Sequence, residues 1–406
     1  MSSFLFIGRF LSPTLLKTFN SDFKGKGGLS NHNFEMSVIK GIEANVNNGF
    51  RCLSLPQTAS FPIRYTRFYC KEEDYKIGGV PAHNVGVCNL LLINLLWKEC
   101  AMYKAIKQEL KRFDGEKVNV IVNCPVNALM RPLFKAAKRV GKTVETTLII
   151  PDIPSLVTST VGTSTNGIRR YFVDRMNQDS IKLASKFDHY VFLTDQMKEL
   201  FPQKDYTVME GLIDVSKLSN PEVETDKKGV QSLLYTGSLH EAYGILDLIN
   251  DYIQGDFKNT ELWICGSGNA SDKVAAAAKE YPAIKFYGMV PSEKARELQR
   301  KATILINPRK NDGEYVKYSF PSKTIEYLLA KKPVIMHRLP GVPDEYYKYV
   351  YAPAGNSENG LQDVIRRVLN MDLREREARA QAGYDFIIEN KNAKTQMQRV
   401  LDMFNS

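Results

Sequence analysis

An α/β chain built as two domains of parallel sheet is predicted by three features of the sequence. Its 406 residues exceed what one hydrophobic core usually organises. Short apolar runs alternate with helical patterns along the whole length, which is how parallel strands covered by helices read. The alternation stops at a polar, charged stretch near residue 220 and then begins again. With 43% hydrophobic and 25% charged residues, each half can bury an ordinary core, and no disordered or fibrous bias is present.

In the first half, residues 1–218, the clearest strands are predicted at Phe4–Ile7, Val118–Cys124, Thr143–Ile150 and His189–Thr194, with helices at Asn33–Glu43, Leu95–Lys111 and Arg131–Val140. The most apolar stretch, Val85–Trp97, is too short to span a bilayer and carries Asn89 and Asn94, so it is expected to be a buried helix rather than one lying on a membrane surface. Residues 219–231, with Pro221, Glu222, Glu224, Asp226, Lys227 and Lys228, read as a linker. A second domain, 232–385, is expected from strands at Ser232–Thr236, Glu261–Cys265, Ala283–Tyr287, Thr303–Ile306 and Pro333–Met336. The segment Arg374–Phe404 is helical in pattern and charge, and residues 386–406 are expected to form a terminal helix packing back on the first domain. Two Rossmann-like domains facing each other across a cleft are thus predicted, with ligands beyond the carboxyl ends of the strands.

The net charge of +10 is unevenly placed: residues 1–220 hold 29 Lys and Arg against 20 Asp and Glu, and the remainder 26 against 25. A basic first half suits an anionic membrane surface or a phosphorylated acceptor, or is an ordinary solvated surface. Nucleic acid is not expected, since no RNA-binding signature, zinc finger or basic zipper is present. The six cysteines show no Cys-x-x-Cys spacing and read as reduced thiols. The start of the chain lacks the charged segment and cleavage site of a secretory signal, so a cytoplasmic location is expected.

Gly25, Gly27 and Gly28 form one glycine cluster and Gly266 and Gly268 another, each where a strand gives way to a helix. Neither has the third glycine of the dinucleotide fingerprint, so each is either a tight turn or a phosphate cradle. The chain has no Walker loop, His-Glu-x-x-His, Gly-x-Ser-x-Gly or Asp-x-Asp sequence. Phosphate-ligated magnesium held by paired aspartates is therefore not expected, nor any other metal or cofactor, and a departing diphosphate would be met by cationic side chains. Ser322 and Lys323 open a helical run, placing backbone N–H groups and an ammonium where a diphosphate can be met. Glu326, one turn on, projects from the same face and can accept two hydrogen bonds from vicinal ribose hydroxyls. Their plainer roles are a cap, a solvated lysine and a surface glutamate. Arg309 ends a strand, where it either forks onto phosphate oxygens or forms an interdomain ion pair.

Tyr318–Ile335, which contains Phe320-Pro-Ser-Lys323 and Glu326-Tyr327 followed by Lys332-Pro-Val-Ile335, resembles the donor-binding region of glycosyltransferase family four, of the GT-B fold. Leu234–Ser238, Trp263–Gly268, Tyr287–Pro291 and Asn307–Arg309 follow in the family's order, and Gly27-Gly28, Ile150–Pro154 and Tyr190–Thr194 carry a thinner likeness in the first half. The resemblance implies metal-independent transfer of a sugar, with retention, from a nucleotide-sugar donor to a saccharide acceptor, lipid-linked in polysaccharide, capsule or exopolysaccharide assembly. This places the protein at the inner face of the cell membrane. It implies donor contacts from Gly27, Gly28, Ser238, Gly266, Gly268, Val290, Ser322, Lys323 and Glu326, with Arg309 and Lys323 on the leaving group. Asp152 either orients the acceptor hydroxyl or caps a helix. Tyr318 stands where the family commonly has a first Glu, with Glu314 four residues before it, and Pro151 stands where many members have a His. The first of these departures keeps a non-catalytic binding subunit open as an alternative, and a sugar-nucleotide epimerase of the same fold is a second.

Overall fold

The computed structural model describes residues 3–24, 28–90, 93–151, 167–201, 204–218, 229–353 and 360–405. The chain divides into two compact units. One comprises Met1–Asp214 with Asn392–Ser406, and the other Val215–Lys391.

The first unit is organised by a sheet of strands β1 (Ser3–Gly8), β2 (Phe50–Ser54), β4 (Glu73–Ile77), β5 (Val80–Asn84), β7 (Lys117–Asn123), β8 (Thr143–Ile150), β9 (His189–Phe192) and β10 (Tyr206–Val208), while β3 (Tyr69–Cys70) and β6 (Val87–Cys88) form a separate antiparallel pair. The order is β10-β9-β8-β7-β1-β2-β5-β4, parallel except for the β4–β5 hairpin at one edge. β1 is buried along its whole length, as a central parallel strand covered on both faces must be. Helix Ser30–Glu43 packs its Val38, Ile39 and Ile42 into this core together with Met397, Val400 and Leu401 of helix Ala393–Asp402. The two helices approach so closely that a Cβ on Gly41 would lie 2.3 Å from the Ala393 carbonyl oxygen.

Two sequence expectations change here. Arg374–Phe404 is not one helical stretch, and the terminal helix does not begin at residue 386. Helix Leu373–Asn390 ends, Asn392 caps the next helix by accepting a hydrogen bond from the Thr395 N–H at 2.8 Å, and helix Ala393–Asp402 follows in the first unit. Val85–Trp97 is not a buried helix either. Val85, Val87 and Cys88 point inward, and Asn89 stops the run by donating from Nδ2 to the Arg67 carbonyl at 3.0 Å. Helix Asn94–Arg112 begins only afterwards, with Leu95, Leu96 and Trp97 on its exposed side, Leu96 at 70%. Polar Asn at two positions split one apolar run into a buried strand and an exposed helix start.

The second unit holds a five-stranded parallel sheet of β11 (Gln231–Ser238), β12 (Thr260–Ser267), β13 (Ile284–Gly288), β14 (Ile304–Asn307) and β15 (Val334–Met336), in the order β13-β12-β11-β14-β15. β11 and β12 pair in register from Gln231 opposite Thr260 to Ser238 opposite Ser267. Helices Ile245–Gln254, Ser271–Glu280, Ser292–Lys301 and Gln362–Leu369 connect and cover the strands; Leu248 and Ile249 of the first and Val364, Ile365 and Val368 of the last belong to its core. Because all five strands run the same way, the segments that follow them lie along one edge.

Candidate functional site

That edge of the second unit gathers most of the residues singled out from the sequence. Lys323 begins the short helix Lys323–Leu328, where its Nζ lies 2.6 Å from Oε2 of Glu326, and both side chains are about one-third exposed. The other carboxylate oxygen of Glu326 accepts from Nε2 of Gln299 at 2.7 Å. Gln299 is buried in the last turn of helix Ser292–Lys301 and also donates to Oγ1 of Thr236, on β11, at 2.9 Å. Next along the short helix, the fully buried Tyr327 accepts from the Thr236 N–H at 2.8 Å. Glu326 is thus held between a partly exposed ammonium and a buried amide rather than standing free in solvent. Gln299 was missed by sequence reasoning, since a lone Gln in a charged helix carries no motif; only its spacing, on the inward side of that helix, marks it.

Arg309 follows β14 and is buried. Its Nη1 donates to Oγ of Ser319 at 3.3 Å, and its guanidinium lies 4.9 Å from the ring of Tyr315 and 5.4 Å from that of Tyr243. Among the described residues it has no carboxylate partner, and its buried Nε makes no hydrogen bond. Two aromatic faces fix the plane of a guanidinium whose charge no acid neutralises, the arrangement expected of an anion-binding arginine. The same short segment brings Lys317 within 3.3 Å of Glu314 and 4.9 Å of the ring of Tyr318, which is itself buried.

The structure gives the glycines at this edge an internal reason. Gly266 has φ of +150°, and a Cβ there would lie 1.8 Å from the Gly237 carbonyl oxygen; a Cβ on Gly268 would lie 2.3 Å from that of Leu239. Both let the segment after β12 close against the segment after β11. Ser238 ends β11 exposed, and its carbonyl accepts from the Tyr235 hydroxyl at 2.7 Å. Val290, half-buried, lies between β13 and helix Ser292–Lys301, and Ser322 is exposed just before Lys323. The edge therefore unites Ser238, Gly266, Gly268, Val290, Arg309, Ser322, Lys323 and Glu326 in one unit.

In the first unit, Gly28 is exposed and a Cβ there would lie 4.0 Å from Oγ of Ser30, while Gly27 and Asp152 lie outside the described residues. At the carboxyl end of β1, Glu35 is completely buried. It accepts from the Arg9 N–H at 2.9 and 3.0 Å and from Nδ2 of Asn123 at 2.7 Å. Burial outweighs these bonds and pushes its carboxyl up to about 7.

Residues 230–371 match the family model for glycosyl transferases group 1. No curated protein matches the chain. Among solved structures, the chain is similar to the lipopolysaccharide outer core galactosyltransferase WaaB in its apo form, with 15% identity over 99% of each chain and a TM-score of 0.61. It is also similar to HepE of Anabaena in complex with UDP, with 11% identity over 99% of each chain and a TM-score of 0.60. A third is the trehalose-6-phosphate synthase OtsA, with 11% identity over 100% of this chain and 99% of that one and a TM-score of 0.63. Residues 230–371 thus match the group 1 glycosyl transferases, and the chain has the GT-B fold of these solved structures.

Proposed function

We propose that the chain transfers a sugar from a nucleoside diphosphate sugar to a saccharide acceptor, without metal and with retention at the anomeric carbon. The observation that carries this reading is the grouping of Arg309, Lys323 and Glu326 on one edge of the group 1 domain. Among the described residues Lys323 pairs with the partly exposed Glu326 in a two-residue switch: an arriving diphosphate draws the ammonium away, and the carboxylate, still held by Gln299, is left to accept from ribose hydroxyls. Arg309, without an acid partner, meets the second phosphate. The related HepE binds UDP, which supports a nucleoside diphosphate as the common element of the donor.

In the transfer, the bond from the anomeric carbon to the diphosphate oxygen breaks. The acceptor oxygen bonds to the same face, and its proton passes to the departing diphosphate. Arg309 and Lys323 stabilise the charge that develops there, so the chain contributes position and electrostatics rather than a covalent nucleophile.

For the acceptor, we read a lipid-linked saccharide at an anionic membrane surface. The basic first half supports this, as does an exposed apolar patch in the first unit, where Phe68, Leu90, Ile93, Leu96 and Trp97 stand in solvent and the Tyr69 ring meets Trp97 at 6.2 Å.

The test is to incubate the purified chain in EDTA with a panel of nucleotide sugars and lipid-linked saccharides and to measure both nucleoside diphosphate release and the glycosylated product. Release coupled to product is expected for at least one pair. Binding without turnover across the panel favours a non-catalytic subunit, and interconversion of the donor sugar without an acceptor favours an epimerase.

A further inference from the structure

At the opposite edge of the second unit's sheet, where β11, β14 and β15 begin, a cavity of about 250 Å³ is lined by Gln231, Thr303, Lys301, Lys331, Lys332 and Arg376, among others. Nothing in the donor site reaches it, because the two lie beyond opposite ends of the same parallel strands.

Four of its side chains are cationic, against a single carboxylate, Glu377. Lys301 is 2.8 Å from Glu297, and Lys331 lies 4.2 Å from the ring of Tyr384, so each of these has a partner already. Arg376 differs. It projects from the first turns of helix Leu373–Asn390, is only 8% exposed, and among the described residues neither its Nε nor its Nη1 has a hydrogen-bond partner. Glu375 and Glu377 adjoin it in the helix, where neighbouring side chains do not face each other, and Asp372, one turn back, is committed to capping the helix, accepting from the Arg374 and Glu375 N–H groups at 2.9 and 3.2 Å. A buried guanidinium with two unbonded nitrogens is costly, and an acceptor carrying negative charge removes that cost.

From this we infer that the cavity is a second anion site, which takes a small phosphorylated ligand whose phosphate oxygens accept from the Arg376 guanidinium beside Lys332. Guanidinium geometry favours the paired oxygens of phosphate. The volume suits a pyrophosphate or a monosaccharide phosphate and is too small for an intact nucleoside diphosphate sugar.

The experiment titrates the full chain with inorganic phosphate, pyrophosphate and a hexose 6-phosphate by calorimetry, alongside Arg376→Met, Lys331→Met and, as the donor-site control, Lys323→Ala. Saturable binding of at least one probe is expected for the parent and for Lys323→Ala, weakened about tenfold or more in Arg376→Met, a loss of roughly 1.4 kcal/mol. Arg376→Met should melt no lower than the parent without ligand, because it removes an unsatisfied buried charge. A merely structural arginine would lower the melting temperature instead. Should Arg376→Met fail to fold, Lys331→Met takes its place, with weaker probe binding expected. Absence of saturable binding into the millimolar range overturns the inference, and so does binding that survives Arg376→Met yet disappears in Lys323→Ala.

Discussion

Glu326 illustrates how a single side chain becomes useful only through its neighbours. Its sequence position predicts a helix-face carboxylate, but its orientation is fixed by Gln299, which is anchored in turn on Thr236 of β11. Gln299 is therefore a positioning residue. Gln299→Leu should raise KM for the donor by about tenfold, with a smaller change in kcat, because one hydrogen bond to a charged group contributes about 1.5–3 kcal/mol. Gln299→Glu, which sets a second carboxylate against Glu326, should be worse than Gln299→Leu. Steady-state kinetics that leave KM unchanged in both variants would remove Gln299 from the site. Glu35 gives a second residue-scale expectation. Its carboxyl is raised from the ordinary 4.5 to about 7, so the native state holds a proton that the unfolded state releases between those values. The stabilisation from this group is complete below about pH 4.5 and is lost as pH rises through about 7, with stability falling as pH rises in that window. Glu35→Gln keeps an acceptor for Arg9 and Asn123 without the titration. Denaturant midpoints between roughly pH 5 and pH 8 should then fall less for the variant than for the parent, and parallel profiles would contradict the assignment.

At the scale of elements, short apolar strands between turn residues were the most legible. Phe4–Ile7, Thr143–Ile150 and the five strands of the second unit all announce themselves as short β-rich apolar runs between turn residues, and all are present. The β4–β5 hairpin carries Glu73, Asp74, Lys76 and His83 on a sheet edge, so polar residues hide its period. Val85–Trp97 misled in the opposite way, because hydrophobicity alone does not distinguish a buried run from an exposed one. Its exposed part makes a prediction: if the start of helix Asn94–Arg112 meets lipid, Leu96→Glu with Trp97→Ser should abolish flotation of the full chain with anionic vesicles while leaving its melting temperature within a few degrees. Binding by the parent should weaken with salt and be slight on neutral vesicles. Equal flotation of parent and variant would return the patch to ordinary surface. The crossing of helices Ser30–Glu43 and Ala393–Asp402 makes another. Gly41→Val places atoms where the Ala393 carbonyl already sits, and should lower unfolding stability by about 1–3 kcal/mol in denaturant titration; an unchanged midpoint would mean that the contact is not close.

For the whole molecule, the restart of the strand pattern after residue 220 suggested two domains and a terminal helix was expected on the first, whereas the point of return, at Asn392, rests on packing that no local pattern reports. The candidate site was legible where chemistry and spacing coincide, at Arg309, Lys323 and Glu326. It was not legible where the work is done by an inward-facing amide or by stacked rings, as at Gln299, Tyr243 and Tyr315. Gly266 and Gly268 were noticed for a ligand, yet they also satisfy a backbone contact that only the folded sheet reveals. All of these features converge on one claim, that the strand-end edge of residues 230–371 holds a nucleoside diphosphate through side chains alone. Calorimetric titration of the full chain with UDP, GDP and ADP in EDTA tests it most directly, with Lys323→Ala and Glu326→Ala in parallel. The account predicts saturable binding of at least one of them to the parent and about tenfold or greater weakening in each variant, since each loses a charged hydrogen-bonding group worth roughly 1.5–3 kcal/mol. Binding that requires added magnesium, or variants that stay within about twofold of the parent, would contradict it.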